Sequence, residues 1–201
     1  TNETGVDYDI LPVNLGSKWD DGRLYMKNWY YQFGRPTPML CPSAFDSPFD
    51  HPNYGTKTFT LSTSEASSYG VGIQNPQTFY GLGSNYTNNW FGYSSYFNLW
   101  DANCITEGCS DNTVVKTVYD PCPVGYHMPN GNTFTGFSIS NVVGSFANGW
   151  YFKKNSSDTT GVFFPASGSR FSSNGNISSV GLDGSGYVWL SSAYTINLAY
   201  S

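Results

Sequence analysis

The residues with the most chemical potential in this 201-residue chain are two histidines, four cysteines and a thin scatter of carboxylates. Catalysis needs titratable groups that converge. His51 follows Phe49-Asp50 and precedes Pro52, and His127 sits between Tyr126 and Met128-Pro129. Neither stands in a nucleophile-elbow context with a Ser or Cys, so each reads as a hydrogen-bonded structural residue. Asp7, Asp9, Asp20, Asp21, Asp46, Asp50, Glu65, Asp101, Glu107, Asp111, Asp120, Asp158 and Asp183 show no local signature of a glycosidase pair. No catalytic residue is assigned, and a non-enzyme is expected.

Metal chemistry finds little support. Asp101, Asn103, Glu107 and Asp111 offer clustered oxygens of the kind a hard cation such as calcium takes. Their spacing matches no EF-hand loop, and Asp20-Asp21 before Gly22 reads as a turn. A zinc site would need paired cysteines two residues apart, which this sequence lacks. No cofactor and no metal residue is therefore expected. The four cysteines, Cys41, Cys104, Cys109 and Cys122, form an even set that permits two disulfides. Cys104 and Cys109 bracket Ile-Thr-Glu-Gly, a loop short enough for a local staple, which leaves Cys41 with Cys122 as a long-range bridge. Gly81–Ser84 and Gly181–Gly186 have the glycines of a phosphate loop but no P-loop lysine and no following helix pattern, and read as turns.

The elements that must position these residues are strands and loops. Charged residues make up 11% of the chain where about 25% is typical, while aromatics reach 18%. Disordered chains are poor in aromatics, so this one folds, with a surface of Ser, Thr, Asn, Gly and Tyr. Strands are expected at Trp29–Phe33, Thr58–Leu61, Val114–Tyr119, Gly161–Pro165, Ser178–Gly181 and Tyr187–Ser191. Weak helical periodicity marks Thr133–Val143 and Leu61–Tyr69, the latter with Ser62, Thr63 or Ser64 as cap. The long segments Cys41–Tyr54 and Gly81–Asn103 are loops dense in aromatic rings, expected to pack on the core. No repeat and no linker appears, so residues 1–201 are expected to form a single domain.

Composition also limits partners. A net charge of −5 argues against nucleic acid, which calls for clustered Lys and Arg. No apolar run approaches the roughly 20 residues that span a bilayer. The absence of a signal-peptide pattern is expected of a cytosolic or an already processed chain, and low charge favours an exported one.

Three segments resemble a known family. Asp120-Pro121-Cys122-Pro123-Val124-Gly125-Tyr126-His127-Met128-Pro129, Phe163-Phe164-Pro165-Ala166-Ser167-Gly168-Ser169-Arg170 and Gly184-Ser185-Gly186-Tyr187-Val188-Trp189-Leu190-Ser191-Ser192 are similar, in order, to elements of the Fibrobacter succinogenes major paralogous domain. Upstream, Trp29–Arg35 and Ile73–Tyr80 are similar to segments of Bacteroidales surface proteins that carry this domain. The resemblance implies an α+β, C-type-lectin-like fold of short twisted antiparallel strands, one or two short helices and long ordered loops. That fold is shared with formylglycine-generating enzymes and with the variable proteins of diversity-generating retroelements. It implies an exported protein of the cell surface, outer membrane or phage particle, fimbrillin-like members included. Two departures matter: the family closes with a further strand where this sequence ends at Tyr200-Ser201, and its Tyr-Trp-Ser-Ser-Ser stretch reads Tyr187-Val188-Trp189-Leu190-Ser191-Ser192 here.

On that resemblance, ligand contacts are expected from the late loops: Ser172, Ser173, Asn174, Asn176, Tyr187, Trp189, Ser191, Ser192, Tyr194, Asn197 and Tyr200. Their composition matches that of antibody paratopes, in which rigid amphipathic rings stand among small hydrogen-bonding residues. One of Tyr187 and Trp189 is expected in the core, and Arg170 is expected to pair inside the fold. The function expected is adhesin-type binding of a cell-surface glycan or protein. The alternative is a structural subunit of a pilus or phage tail fibre, with an assembly partner supplying a strand. An oxidase like the formylglycine-generating enzymes needs paired cysteines late in the chain, whereas every cysteine here precedes residue 123.

Overall fold

The computed structural model describes residues 30–37, 39, 49–51, 55–57, 60–62, 64, 66–81, 90, 96–106, 109, 113–145, 149–153, 157, 161–165, 169–170, 175, 177–178 and 187–192. Their secondary structure is short strands with one short helix. β1 (Phe49–His51) and β2 (Gly55–Lys57) form an antiparallel hairpin within and just after the loop expected at Cys41–Tyr54. β3 (Thr60–Ser62) and β4 (Thr78–Tyr80) pair in parallel, and α1 (Tyr69–Gln74) makes the crossover that parallel pairing demands. β5 (Val142–Ser145), β6 (Gly149–Lys153) and β7 (Gly161–Pro165) form an antiparallel sheet in that order. β8 (Ser169–Arg170) and β9 (Ile177–Ser178) form a last small ladder.

Several expectations shift when measured against these elements. The strand expected at Gly161–Pro165 is β7 with the same bounds. Of that at Thr58–Leu61, Thr60 and Leu61 belong to β3, and Thr58 and Phe59 lie outside the described residues. Trp29–Phe33 and Val114–Tyr119 shrink to single bridges, Tyr30 with Met39 and Asp101 with Lys116. Instead of a helix at Leu61–Tyr69, the helix begins at Tyr69, because Ser68 is the hydroxyl that accepts the Val71 amide. In place of a helix over Thr133–Val143, a single 3-10 turn at Gly131–Phe134 gives way to β5. Phe134 and Phe137 do share a side there, but as ring contacts with Phe152 and Phe164 of the sheet.

The core is aromatic. Phe33, Ala66, Tyr80, Trp90, Leu99, Trp100 and Met128 form one buried cluster, with Tyr31, Tyr69, Val71, Tyr119 and Cys122 packed against it. Two of the segments singled out in the sequence lock together here. Arg35 is buried, and its guanidinium donates to Gln32 Oε1 at 2.7 Å and to the carbonyls of Thr78 at 2.7 Å, Asn75 at 3.1 Å and Pro76 at 3.1 Å. Gln32 in turn donates to the Tyr80 carbonyl at 2.7 Å. The guanidinium also lies 5.3 Å from the Trp90 ring centroid and 6.0 Å from that of Tyr80. A planar cation with five donors can satisfy several carbonyls at once, which is why arginine fits here. Burial nonetheless lowers its pKa to about 10. The turn before it needs Gly34, whose φ of 81° favours glycine and whose Cα faces the Leu99 side chain too closely for a Cβ.

Cys104 and Cys109 are disulfide-bonded, closing the short loop expected from their spacing. The long-range bridge expected between Cys41 and Cys122 is not formed. Cys122 carries a free thiol, its Sγ 3.6 Å from Met128 Sδ, and Cys41 lies outside the described residues. The Cys122 amide is held by Asp120 Oδ1 at 2.7 Å, and its side chain lies beside Met128. Among the described residues, no helix is long and apolar enough to cross a membrane.

Candidate functional site

A binding surface needs side chains that are exposed yet held. The segment Tyr187–Trp189 meets both conditions, through two clamps and one ring contact.

The first clamp is Asp120, the residue that opens the Pro-Cys-Pro element. Its buried carboxylate accepts the Cys122 amide at 2.7 Å through Oδ1 and the Met128 amide at 2.9 Å through Oδ2. Lys116 Nζ reaches the same Oδ1 at 2.7 Å and the Cys122 carbonyl at 2.7 Å. Asp120 thus ties both ends of the loop 120–128, as an Asp side chain does when it mimics a backbone turn. Gly125 gives the loop its reversal with a φ of 88°. The outcome is a fixed Met128 in the core and a fixed Pro129 beyond it.

The second clamp works on the stretch leading from Trp100. Asp101 Oδ1 accepts the Asn103 amide at 3.0 Å and the Val115 amide at 2.8 Å. The Ala102 amide donates to the Val115 carbonyl at 2.8 Å, and Asn103 Nδ2 to that of Thr113 at 3.0 Å. Thr117 Oγ1 closes the pairing by donating to the Leu99 carbonyl. The Asp101 and Asn103 side chains, weighed above as calcium ligands, are therefore committed to backbone groups. Glu107 and Asp111 lie outside the described residues. Among the described residues, no three His, Cys, Asp or Glu side chains converge as a metal site.

Onto this frame the late segment is pinned. The Ser191 amide donates to the Pro129 carbonyl at 2.7 Å, and the Trp189 ring stands edge-on to Trp100, centroids 5.4 Å apart at 89°. Tyr187, Val188 and Trp189 are 41%, 39% and 44% exposed, whereas Ser191 and Ser192 are buried. Two expectations are corrected here. Tyr187–Ser191 forms no strand, since the Ser191 amide goes to a loop carbonyl and not to a ladder. Neither Tyr187 nor Trp189 enters the core. Strand alternation would have buried every other residue, whereas three consecutive side chains face outward.

Of the other residues expected in the site, Ser172, Ser173, Asn174, Asn176, Tyr194, Asn197 and Tyr200 lie outside the described residues. The structure brings Tyr187, Trp189, Ser191 and Ser192 together on one segment. Arg170 Nη1 donates to the Gly175 carbonyl at 2.6 Å and its guanidinium lies 5.0 Å from the Tyr30 ring centroid. Sequence reasoning missed Trp100, the support of Trp189, because nothing local distinguishes it from the other rings of its loop. It also missed Asp120, although an Asp before Pro-Cys-Pro is a turn signal.

Cys122 offers no ready nucleophile. Burial, then the neighbouring Asp120 carboxylate, pushes its thiol up to about 12. A second aromatic group joins the half-buried Tyr69 and Tyr119 to the exposed Tyr96, with rings edge-to-face at 5.1 Å (Tyr69–Tyr96) and 5.8 Å (Tyr69–Tyr119). The hydrogen bond that the Tyr69 phenol makes to Tyr119 raises its pKa. Comparison with protein-family models, with curated proteins and with solved structures finds no match for this chain.

Proposed function

We propose that this chain is a non-catalytic, adhesin-type binding domain with a C-type-lectin-like fold, taking a cell-surface glycan or protein on its late segments. One observation carries the reading: Tyr187, Val188 and Trp189 present three consecutive outward side chains on a backbone pinned to the core by Ser191 and Pro129. Exposed aromatic rings held in place lose little entropy on binding, which is how paratopes gain affinity. The Cys104–Cys109 disulfide suits an oxidising compartment, such as the exterior of a cell. The low charge of the chain suits recognition by rings and hydroxyls in preference to ion pairs.

The test is an array of glycans and host-surface proteins probed with the full chain and with Tyr187→Ala and Trp189→Ala. Reproducible binding that falls at least tenfold in both variants supports the reading. Silence on both kinds of array, with the Cys104–Cys109 disulfide intact, overturns it in favour of a subunit whose partners are its own assembly.

A further inference from the structure

Asp120 is followed by Pro121, the only Asp-Pro pair in the sequence. An Asp-Pro peptide bond is chemically weaker than its neighbours. The aspartyl carboxyl can attack the carbonyl carbon of its own residue and close a small cyclic anhydride. The prolyl nitrogen, which carries no hydrogen, takes up a proton more readily than an ordinary amide nitrogen and leaves. In acid this path cuts unfolded chains at such pairs. In this fold, however, the carboxyl is occupied. Oδ1 accepts the Cys122 amide at 2.7 Å and the Lys116 ammonium at 2.7 Å, and Oδ2 accepts the Met128 amide at 2.9 Å. The same ammonium lies 3.3 Å from the Asp120 carbonyl oxygen. Asp120 is itself buried, so turning either oxygen onto the carbonyl carbon strands a backbone donor away from water, which is costly.

We propose that the Asp120–Pro121 bond is a latent self-cleavage site, and that the contacts on the Asp120 carboxyl hold it shut. Opening of the loop 120–128 frees the carboxyl, and in acid the chain then cuts itself. A carboxyl oxygen of Asp120 bonds to the Asp120 carbonyl carbon, and the bond from that carbon to the Pro121 nitrogen breaks. The carboxyl proton passes to the nitrogen, which leaves as a secondary amine. Water then opens the anhydride to two carboxyl groups, so one water is consumed and no other reagent is needed. The disulfide does not span the cut, because Cys104 and Cys109 both precede it and Cys122 is a free thiol. Cleavage therefore divides the buried cluster, with Phe33, Trp90 and Trp100 on one piece and Met128 on the other. A local opening becomes a permanent loss of the core. The inference stands apart from the binding reading and survives its failure.

The experiment incubates the full chain at the lowest pH at which its near-ultraviolet circular dichroism stays native, with and without urea. Mass spectrometry follows the products, and hydrogen exchange of the Cys122 and Met128 amides at the same pH measures how often the loop opens. In urea the expected products are residues 1–120 and 121–201, with Pro121 as the new N-terminus. Asp120→Ala, compared in urea so that its folding does not matter, is expected to give neither. Without urea the expected rate is the rate in urea multiplied by the open fraction of the two amides, at least about tenfold slower, since cutting of a transient state follows its population. No fragment in urea, or the same cut in Asp120→Ala, overturns the proposal because the carboxyl is then not the agent. A native rate above what the open fraction allows means that the bond breaks with the Asp120 contacts in place. A rate below it means that something else holds the bond shut, and either result overturns the proposal as well.

Discussion

Trp189 and Trp100 meet edge to face, centroids 5.4 Å apart at 89°, so that a ring 44% exposed shields one that is fully buried. The pair makes Trp189 a boundary between core and solvent, and the consequence is optical as well as energetic. Removing the outer ring in Trp189→Ala admits water to Trp100. Its fluorescence should move to longer wavelength, while stability falls by only about 1–2 kcal/mol, the worth of one aromatic contact and part of a ring's burial. A urea melt read by emission checks both. An unchanged emission maximum means that something other than Trp189 shields Trp100.

Asp120 should be far less tolerant. Its two oxygens take the amides of Cys122 and Met128 and the ammonium of Lys116, and the side chain is buried. Asp120→Ala leaves two backbone donors unmet and should cost about 3 kcal/mol. Lys116→Met removes a partner that is partly solvated and should cost about 1 kcal/mol or less. Chemical denaturation of the two variants should separate them clearly. Equal losses would mean that the ion pair matters more than the amides.

Arg35 provides a sharper chemical test. Its guanidinium serves three backbone carbonyls and Gln32 while stacking near Trp90. Lysine keeps the charge but brings a compact ammonium with three donors, which cannot span those acceptors. Arg35→Lys is expected to lose about 2–4 kcal/mol by thermal or urea unfolding. Wild-type stability in the lysine variant would show that charge alone suffices.

The Cys122 thiol predicts a pH dependence of definite sign. Its pKa is raised from 9.0 to about 12, chiefly by burial and then by Asp120. Below about pH 9 the thiol is protonated in both folded and unfolded chains, and its contribution to stability is complete. As pH rises from there towards 12, the unfolded chain releases the proton while the folded one keeps it, so stability falls. The measurement is the difference in unfolding free energy between wild type and Cys122→Ala across pH 8 to about 11, which cancels other titrating groups. A flat difference rejects the shift. Mass spectrometry of the alkylated native protein should meanwhile recover Cys104 linked to Cys109 and Cys122 unlinked, and a Cys41–Cys122 peptide would contradict the structure.

Part of this architecture is legible one residue at a time. The bounds of β7 follow from an apolar run between Gly161 and Pro165, and the Cys104–Cys109 staple follows from a loop too short to leave its ends apart. The prolines of Asp120–Pro129 likewise announce a loop after Asp120, whereas the turn at Gly34 emerges only in the structure. Helix placement was less accessible. Ser62, Thr63, Ser64, Ser67 and Ser68 are all residue types that cap helices; in the structure Ser68 is the cap, and Gly72 packs against Trp90. A side chain at position 72 would collide with that indole, so the helix can seat only in the frame that turns this glycine inward.

By itself, then, the sequence determined that the chain is poor in charge and rich in rings, where its short staple closes, and that its late segments pair aromatic with small polar residues. The tertiary structure decided which of those rings are buried. Tyr187 and Trp189 have the alternation of a half-buried strand, yet their segment is held by the Pro129 carbonyl, 62 residues before the Ser191 whose amide it accepts, and by the Trp100 ring, 89 residues before Trp189. Turns and staples are governed by neighbours a few residues apart and so can be read locally. Burial depends on which distant surface arrives to cover a side chain, and no window of sequence contains both.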